Sequence, residues 1–174
     1  DVVKRRLAEQ PGVKVPIHIK LDTGMHRLGF EMQDINEMVV RIKNNKHLKV
    51  ASVFSHLAAS DEAVHDGFTN EQAITFSKMA DIICGHFTHQ IFRHLLNSAG
   101  IMRFPEWQFD MVRLGIGLHG IAATPHEQKQ LHFVATLKTT ISQIKTVKAN
   151  QTIGYSRKGI VTRDTLVATV AIGY

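Results

Sequence analysis

Apolar and polar side chains alternate from Val15 to Leu21, the two-residue period of a strand with one buried face. Met32, Ile35, Met38, Val39 and Ile42 then recur at helical spacing, which predicts a helix over Asp34 to Asn44. Val50 to Leu57 reads as a second strand. Thr69, with Gln72 three residues on, has the form of a capping box and predicts the start of a second helix. The core face of that helix is Ala73, Phe76, Met79, Ala80 and Ile83. Phe92 to Asn97 is a third strand and Met111 to Leu118 a fourth. Strands separated by helical runs imply βαβ units, an α/β fold and a parallel sheet. From about Phe133 the pattern changes: Val134 to Val147, Thr152 to Tyr155 and Leu166 to Ile172 are rich in Thr, Val and Ile, with little helical periodicity. A second, β-rich domain is expected there. The boundary is placed in the loop-like Thr124-Pro125-His126 region, giving domains over residues 1–125 and 126–174.

Composition narrows the class. With 44% hydrophobic and 21% charged residues, the chain reads as a soluble globular protein. No apolar run approaches the roughly 18 residues of a membrane span, so no membrane partner is expected. The net charge of +6 raises the question of nucleic acid, but Lys and Arg are scattered and the densest run, Lys4-Arg5-Arg6, is short. No nucleic-acid partner is expected. Cys84 is the only cysteine, which rules out an intrachain disulfide and favours a reducing, cytoplasmic setting. Of the 11 histidines, His86, His89 and His94 are closest in sequence. His94 falls in the next strand and no carboxylate motif accompanies them, so no metal site is expected.

Polar clusters fall at the C-terminal end of each expected strand: Lys20 to Arg27, then His56, then Asn97 and Ser98, then Arg113 to Gly117. In β/α architectures that end carries function. A guanidinium fork suits a carboxylate, which makes Arg27 a candidate for an acidic ligand. The bland alternative is a surface arginine paired with Asp22, and Lys20 has a similar alternative as a buried lysine paired with Asp22. A hydroxyl beside a glycine-containing turn suits a phosphate, because backbone can approach closely where there is no Cβ.

The stretch His18-Ile19-Lys20-Leu21-Asp22-Thr23-Gly24-Met25-His26-Arg27-Leu28-Gly29-Phe30 resembles the signature of the alanine racemases, fold-type III enzymes that use pyridoxal phosphate (PLP). Asn97-Ser98-Ala99-Gly100 and Val112-Arg113-Leu114-Gly115-Ile116-Gly117 resemble the same family, in the expected order. The resemblance covers nearly the full length, less specifically at the β-rich end. It implies the C-terminal half of a (β/α)8 barrel, running from before barrel strand five, followed by the start of the C-terminal β-domain. It also implies roles. Arg27 binds the substrate carboxylate and the cofactor's phenolic oxygen. Lys20 aligns with a lysine that is often carbamylated and orients that arginine. Arg113 hydrogen-bonds the PLP pyridine nitrogen without surrendering a proton to it. Ser98 and the amides of Gly115 and Ile116 cradle the phosphate, with Asn97 nearby. His56 contacts the pyridine-binding arginine and the catalytic tyrosine. Tyr155, in Ile153-Gly154-Tyr155-Ser156, aligns with one of two catalytic bases, contributed across a homodimer. Tyr174 aligns with a tyrosine at the substrate entrance.

The implied activity is two-base racemisation of L- and D-alanine for peptidoglycan precursors. The family's PLP-anchoring Lys-Ala-x-Ala-Tyr-Gly run is nowhere in the 174 residues. The expectation is therefore an interior piece of a racemase, inactive by itself and paired with copies through its open sheet edges or through swapped β-segments. Phe54-Ser55-His56-Leu57-Ala58-Ala59-Ser60-Asp61-Glu62 and Gly154-Tyr155-Ser156-Arg157-Lys158-Gly159 resemble the Bacteroidetes-type racemases, often fused behind a peptidoglycan-precursor ligase domain. Two other readings stay open: a fold-type III racemase for another amino acid, and a non-catalytic binding module. His119 departs from the tyrosine usual before Gly120.

Overall fold

The computed structural model describes residues 12–173. Tyr174 and the Lys4-Arg5-Arg6 run lie outside the described residues. The chain forms two compact units divided between Val134 and Ala135.

The first unit carries a parallel sheet of β1 (Val15–Lys20), β2 (Leu48–Phe54) and β3 (Phe92–His94), in that order. Helix α1 (Ile35–Lys43) connects β1 to β2, and α2 (Asp66–Gly85) connects β2 to β3. Parallel neighbours need such crossovers, because a tight turn cannot reverse the chain twice. Ile35, Met38, Val39 and Ile42 from α1 and Ala73, Phe76, Met79, Ala80 and Ile83 from α2 pack with Ile19, Val50, Val53 and Leu95 of the sheet layer. Phe76, Met79 and Ile83 are fully buried, each contributing about 2 kcal/mol of apolar transfer. The short helix α3 (Ser98–Arg103) follows β3. Arg103 ties it to α2 with a two-pronged bond to Asp66 at 2.7 and 2.9 Å.

Three expectations of secondary structure are corrected. Helix α2 begins at Asp66, after a 3-10 turn over Ala63–His65. Thr69 and Gln72 are therefore buried inside the helix and form no capping box; Gln72 instead reaches out of α2, accepting from the Ala58 amide at 2.9 Å. The third strand ends at His94, where the chain turns inward. Met111 to Leu118 forms no fourth strand. Met111 makes a single parallel bridge to His94, and Arg113 donates its amide to the Leu96 carbonyl at 2.9 Å. The chain then turns at Gly115 into a 3-10 helix over Ile116–His119. Helix α4 (Pro125–Gln128), capped by Thr124, stays with the first unit, since Gln128 bonds back to the Gly120 carbonyl and the Ala122 amide. The structural boundary is thus nine residues beyond the one expected from the loop-like Thr124-Pro125-His126 sequence.

The second unit pairs β4 (Ile141–Val147) with β7 (Thr165–Val170), antiparallel, and β5 (Thr152–Ile153) with β6 (Gly159–Ile160). Val147 and Val161 are its buried apolar residues. No helix among the described residues is long and apolar enough to cross a membrane.

Candidate active site

The loop after β1 is shaped by one carboxylate and one glycine. Asp22 Oδ1 accepts the amides of Gly24 and His26, both at 3.0 Å, which folds the Asp22-Thr23-Gly24 turn. The loop returns so that Phe30 donates to the Lys20 carbonyl and accepts from the Asp22 amide. This brings Gly29, at φ 128°, against the backbone: a Cβ there would sit 2.6 Å from the Asp22 nitrogen. The turn is pinned to the end of β2 by a buried hydroxyl pair. Ser55 Oγ donates to the Leu21 carbonyl at 2.7 Å, so the Thr23 hydroxyl donates to Ser55 Oγ at 2.8 Å.

Neither ion pair weighed for Asp22 forms among the described residues. Lys20 Nζ donates to the Leu28 carbonyl at 3.0 Å, and Arg27 is exposed. Burial lowers the Lys20 pKa; Asp22 opposes this, and Arg27 and Arg113 add to it. His56 is held low first by burial, then by Arg113, Arg27 and Lys20. Lys20, Arg27, His56 and Arg113 are thus one electrostatic cluster at the strand ends.

Arg113 is the most heavily bonded of these side chains. Its Nη1 donates to His94 Nδ1 at 2.5 Å and to the His94 carbonyl at 3.1 Å. Its Nη2 donates to the Ser55 carbonyl at 2.5 Å and the Leu95 carbonyl at 3.0 Å. His56 Nδ1 lies farther off, 3.4 Å from Nη2. The guanidinium also stands over the Phe54 ring, 5.4 Å from its centroid. The Nη groups are spent on the sheet, while Nε–H has no partner among the described residues.

Ser98 Oγ accepts the amides of Gly115 at 2.9 Å and Gly117 at 3.1 Å. The Gly115 amide is thus bound to Ser98, and the Ser98 hydroxyl proton and the Ile116 amide are left as donors. A Cβ on Gly117 would lie 2.8 Å from Leu114 Cδ1, the end of an exposed side chain, and 3.4 Å from Ser98 Oγ. Asn97 Oδ1 is occupied, capping α3 at the Gly100 amide and accepting from Ser60 Oγ.

His56, Asn97, Ser98, Arg113, Gly115 and Ile116 all line one cavity of about 740 Å³. That volume suits a small-molecule cofactor or substrate. Lys20 and Arg27 do not line it. Tyr155 belongs to the second unit, where it is 86% exposed on a tight turn with Ser156 and Arg157 at positive φ.

Sequence reasoning missed three residues behind Arg113. His94 Nε2 is 3.0 Å from Ser52 Oγ, and Ser52 Oγ is 2.7 Å from His18 Nδ1. In the sequence His18 stands out only as part of a motif and His94 only among histidines close together. Period-2 spacing from Lys20 and Phe54 places His18 and Ser52 on the same sheet face as those residues, the one signal that could have found them.

Residues 4–123 match the family model described as alanine racemase, N-terminal domain, and residues 134–174 match alanine racemase, C-terminal domain. The chain belongs to the alanine racemase family. An alanine racemase of Nostoc sp. is 35% identical over 162 residues, covering 92% of this chain and 42% of that protein. An amino-acid racemase of Enterococcus faecalis is 32% identical, covering 97% of this chain and 24% of its own length. Among solved structures, the biosynthetic alanine racemase from Pseudomonas aeruginosa superposes with a TM-score of 0.78 at 26% identity, covering 98% of this chain and 47% of that one. The chain thus spans less than half the length of the curated alanine racemases it matches.

Proposed function

We propose that this chain supplies the pyridine-side, phosphate-side and tyrosine elements of a PLP-dependent alanine racemase acting in the cytoplasm on L- and D-alanine for peptidoglycan precursors. The observation that carries the reading is the shared cavity, where a hydroxyl–amide turn at Ser98 and Gly117 faces the same space as a rigidly held Arg113. These residues fit PLP. Ser98 and the Ile116 amide offer donors to a phosphate, the glycine turn leaves the close approach open, and Arg113 keeps one N–H for a ring nitrogen.

PLP, when bound, withdraws electrons from the amino acid and acidifies its Cα proton. Arg113 keeps its own proton, since a guanidinium does not give one up at neutral pH. Arg27 holds the substrate carboxylate. Tyr155 takes or returns the Cα proton on one face, presented by the partner copy in a homodimer, with Tyr174 at the entrance. A free phenol, with an ordinary pKa near 10, is a poor base at neutral pH; the Arg113 and His56 cluster supplies the positive field that favours its anion. The second base and the anchoring lysine come from protein outside this chain. On this reading the parallel strands of residues 1–125 are half of a (β/α)8 barrel, and the β-rich unit begins the C-terminal domain.

A chimera tests this. The chain replaces the matching segment of the Nostoc racemase and is expressed in a bacterium that needs D-alanine. Growth without D-alanine supports the proposal. A chimera that folds and binds PLP yet racemises no alanine overturns it, and activity on other amino acids only, in keeping with the Enterococcus faecalis relative, favours the broader racemase reading.

A further inference from the structure

We infer that His94, held by Ser52 and His18, is the positioning residue that fixes how Arg113 faces the cavity. The inference rests on the PLP reading for what Arg113 touches, but the hydrogen-bond chain itself stands on geometry alone.

A guanidinium only donates, so His94 Nδ1, 2.5 Å from Arg113 Nη1, must be the unprotonated ring nitrogen. The ring proton then sits on Nε2 and is donated to Ser52 Oγ at 3.0 Å. Ser52 in turn points its hydroxyl proton at His18 Nδ1, at 2.7 Å. Every proton along Arg113–His94–Ser52–His18 is thereby assigned, and the chain crosses all three strands of the sheet. His94 is 5% exposed and Ser52 2% exposed, so water does not compete for the bond between them, while His18 closes the chain at its exposed end. The His94 ring lies flat on Phe54, with centroids 5.0 Å apart and planes 3° from parallel. A ring so stacked cannot swing to offer its other nitrogen. Burial, Arg113 and His18 together push the His94 pKa down to about 4, which keeps the ring neutral, as the chain requires.

The consequence falls on Arg113. Three carbonyls and His94 Nδ1 engage its four Nη protons, and only Nε–H remains for a ligand. The guanidinium is planar, so its direction is set by the torsions of its aliphatic stem, and His94 Nδ1 is the short side-chain acceptor that adds to the three carbonyls in fixing it. His56, at 3.4 Å from an Nη2 already shared by two carbonyls, is the weaker of the two imidazole contacts.

Two isosteric substitutions separate the ends of the ring. In His94→Asn the side-chain oxygen takes the place of Nδ1 and can still accept from Arg113. In His94→Gln the side-chain amide takes the place of Nε2 and keeps Ser52 but loses Arg113. Nitrogen-15 NMR of the chain is expected to show the His94 ring as the Nε2–H tautomer, mixed in Ser52→Ala. The Arg113 guanidinium resonances should stay resolved in wild type and His94→Asn and average in His94→Gln, and titration should show PLP binding about tenfold weaker in the Gln variant alone. Equal behaviour of Asn and Gln variants, or an Nδ1–H tautomer in wild type, overturns the inference. Ser52→Ala leaves His94 in place, so the tautomer still reports if a His94 variant fails to fold. Should the tautomer and guanidinium signals appear as expected while PLP fails to bind the wild-type chain, the positioning stands and the PLP reading falls.

Discussion

The Ser98 hydroxyl accepts the Gly115 amide at 2.9 Å, joining the start of α3 to the turn after Arg113. With the Gly117 amide also bound, its lone pairs are filled and its own proton is free to donate. Gly115 is exposed, so water can satisfy its amide if the hydroxyl is lost. Ser98→Ala should therefore lower stability by less than about 1 kcal/mol while weakening PLP about tenfold. Pyridoxal, which lacks the phosphate, should bind wild type and variant alike. Equal weakening of both ligands in a titration would remove Ser98 from the phosphate site.

Gly29 makes a prediction about the Arg27 loop. At φ 128°, with Asp22 nitrogen and Leu21 carbon within 2.7 Å of an added Cβ, alanine meets backbone that cannot step aside. Gly29→Ala should cost about 3 kcal/mol, read as a lower urea midpoint. Gly12→Ala, where nothing lies within 4 Å, is the control for a positive-φ glycine in open space.

Lys20 predicts a modification. Burial, with Arg27 and Arg113, lowers its pKa, so a larger fraction of the amine is neutral at a given pH. The neutral amine adds carbon dioxide and releases a proton, and the resulting carbamate would be an anion beside two guanidinium groups. Carbon-13 bicarbonate at pH 8 should give one carbamate resonance in NMR, absent in Lys20→Arg. An unlabelled spectrum for wild type would leave Lys20 as an ordinary amine bonded to Leu28.

Much of the fold is legible because the two long helices announce their buried faces: Phe76, Met79 and Ile83 are as deep as their spacing implies. Thr69 was misread because a capping box is a local pattern, and here tertiary packing extends the helix past it. Met111 to Leu118 was misread because apolar content does not supply a hydrogen-bonded neighbour, and only Met111 finds one within a strand. Arg113 and Ser98 were legible through motifs. His94, Ser52 and His18 were not, because their chain runs across three strands and depends on the irregularity between Ile17 and His18 that sets β1 against β2.

His94 also ties stability to pH. Its folded pKa of about 4 lies below the ordinary 6.5, so as pH falls through 6.5 the unfolded chain takes a proton that the folded one refuses. Stability present at pH 7 is lost progressively down to about pH 4, by on the order of 3 kcal/mol. Urea denaturation at pH 7 and pH 4.5 should show this loss, and His94→Asn should reduce it. An unchanged pH dependence in the variant would assign the loss to other groups.

Tyr155 separates folding from chemistry more cleanly than any other candidate. At 86% exposure its hydroxyl supports nothing within its own unit, so Tyr155→Phe should leave the urea midpoint within about 0.5 kcal/mol of wild type. In the chimera described above, the same change removes one of two bases. Racemisation should fall at least about a hundredfold in both directions, since each direction needs a proton removed on one face and another delivered to the opposite face. Exchange of the Cα proton with deuterium oxide should behave differently. The base that remains still serves one face, so one enantiomer of alanine should keep exchanging without inversion while the other stops. Exchange surviving equally in both enantiomers would mean that Tyr155 does not touch the reacting carbon, and another group in the cavity would have to carry that proton.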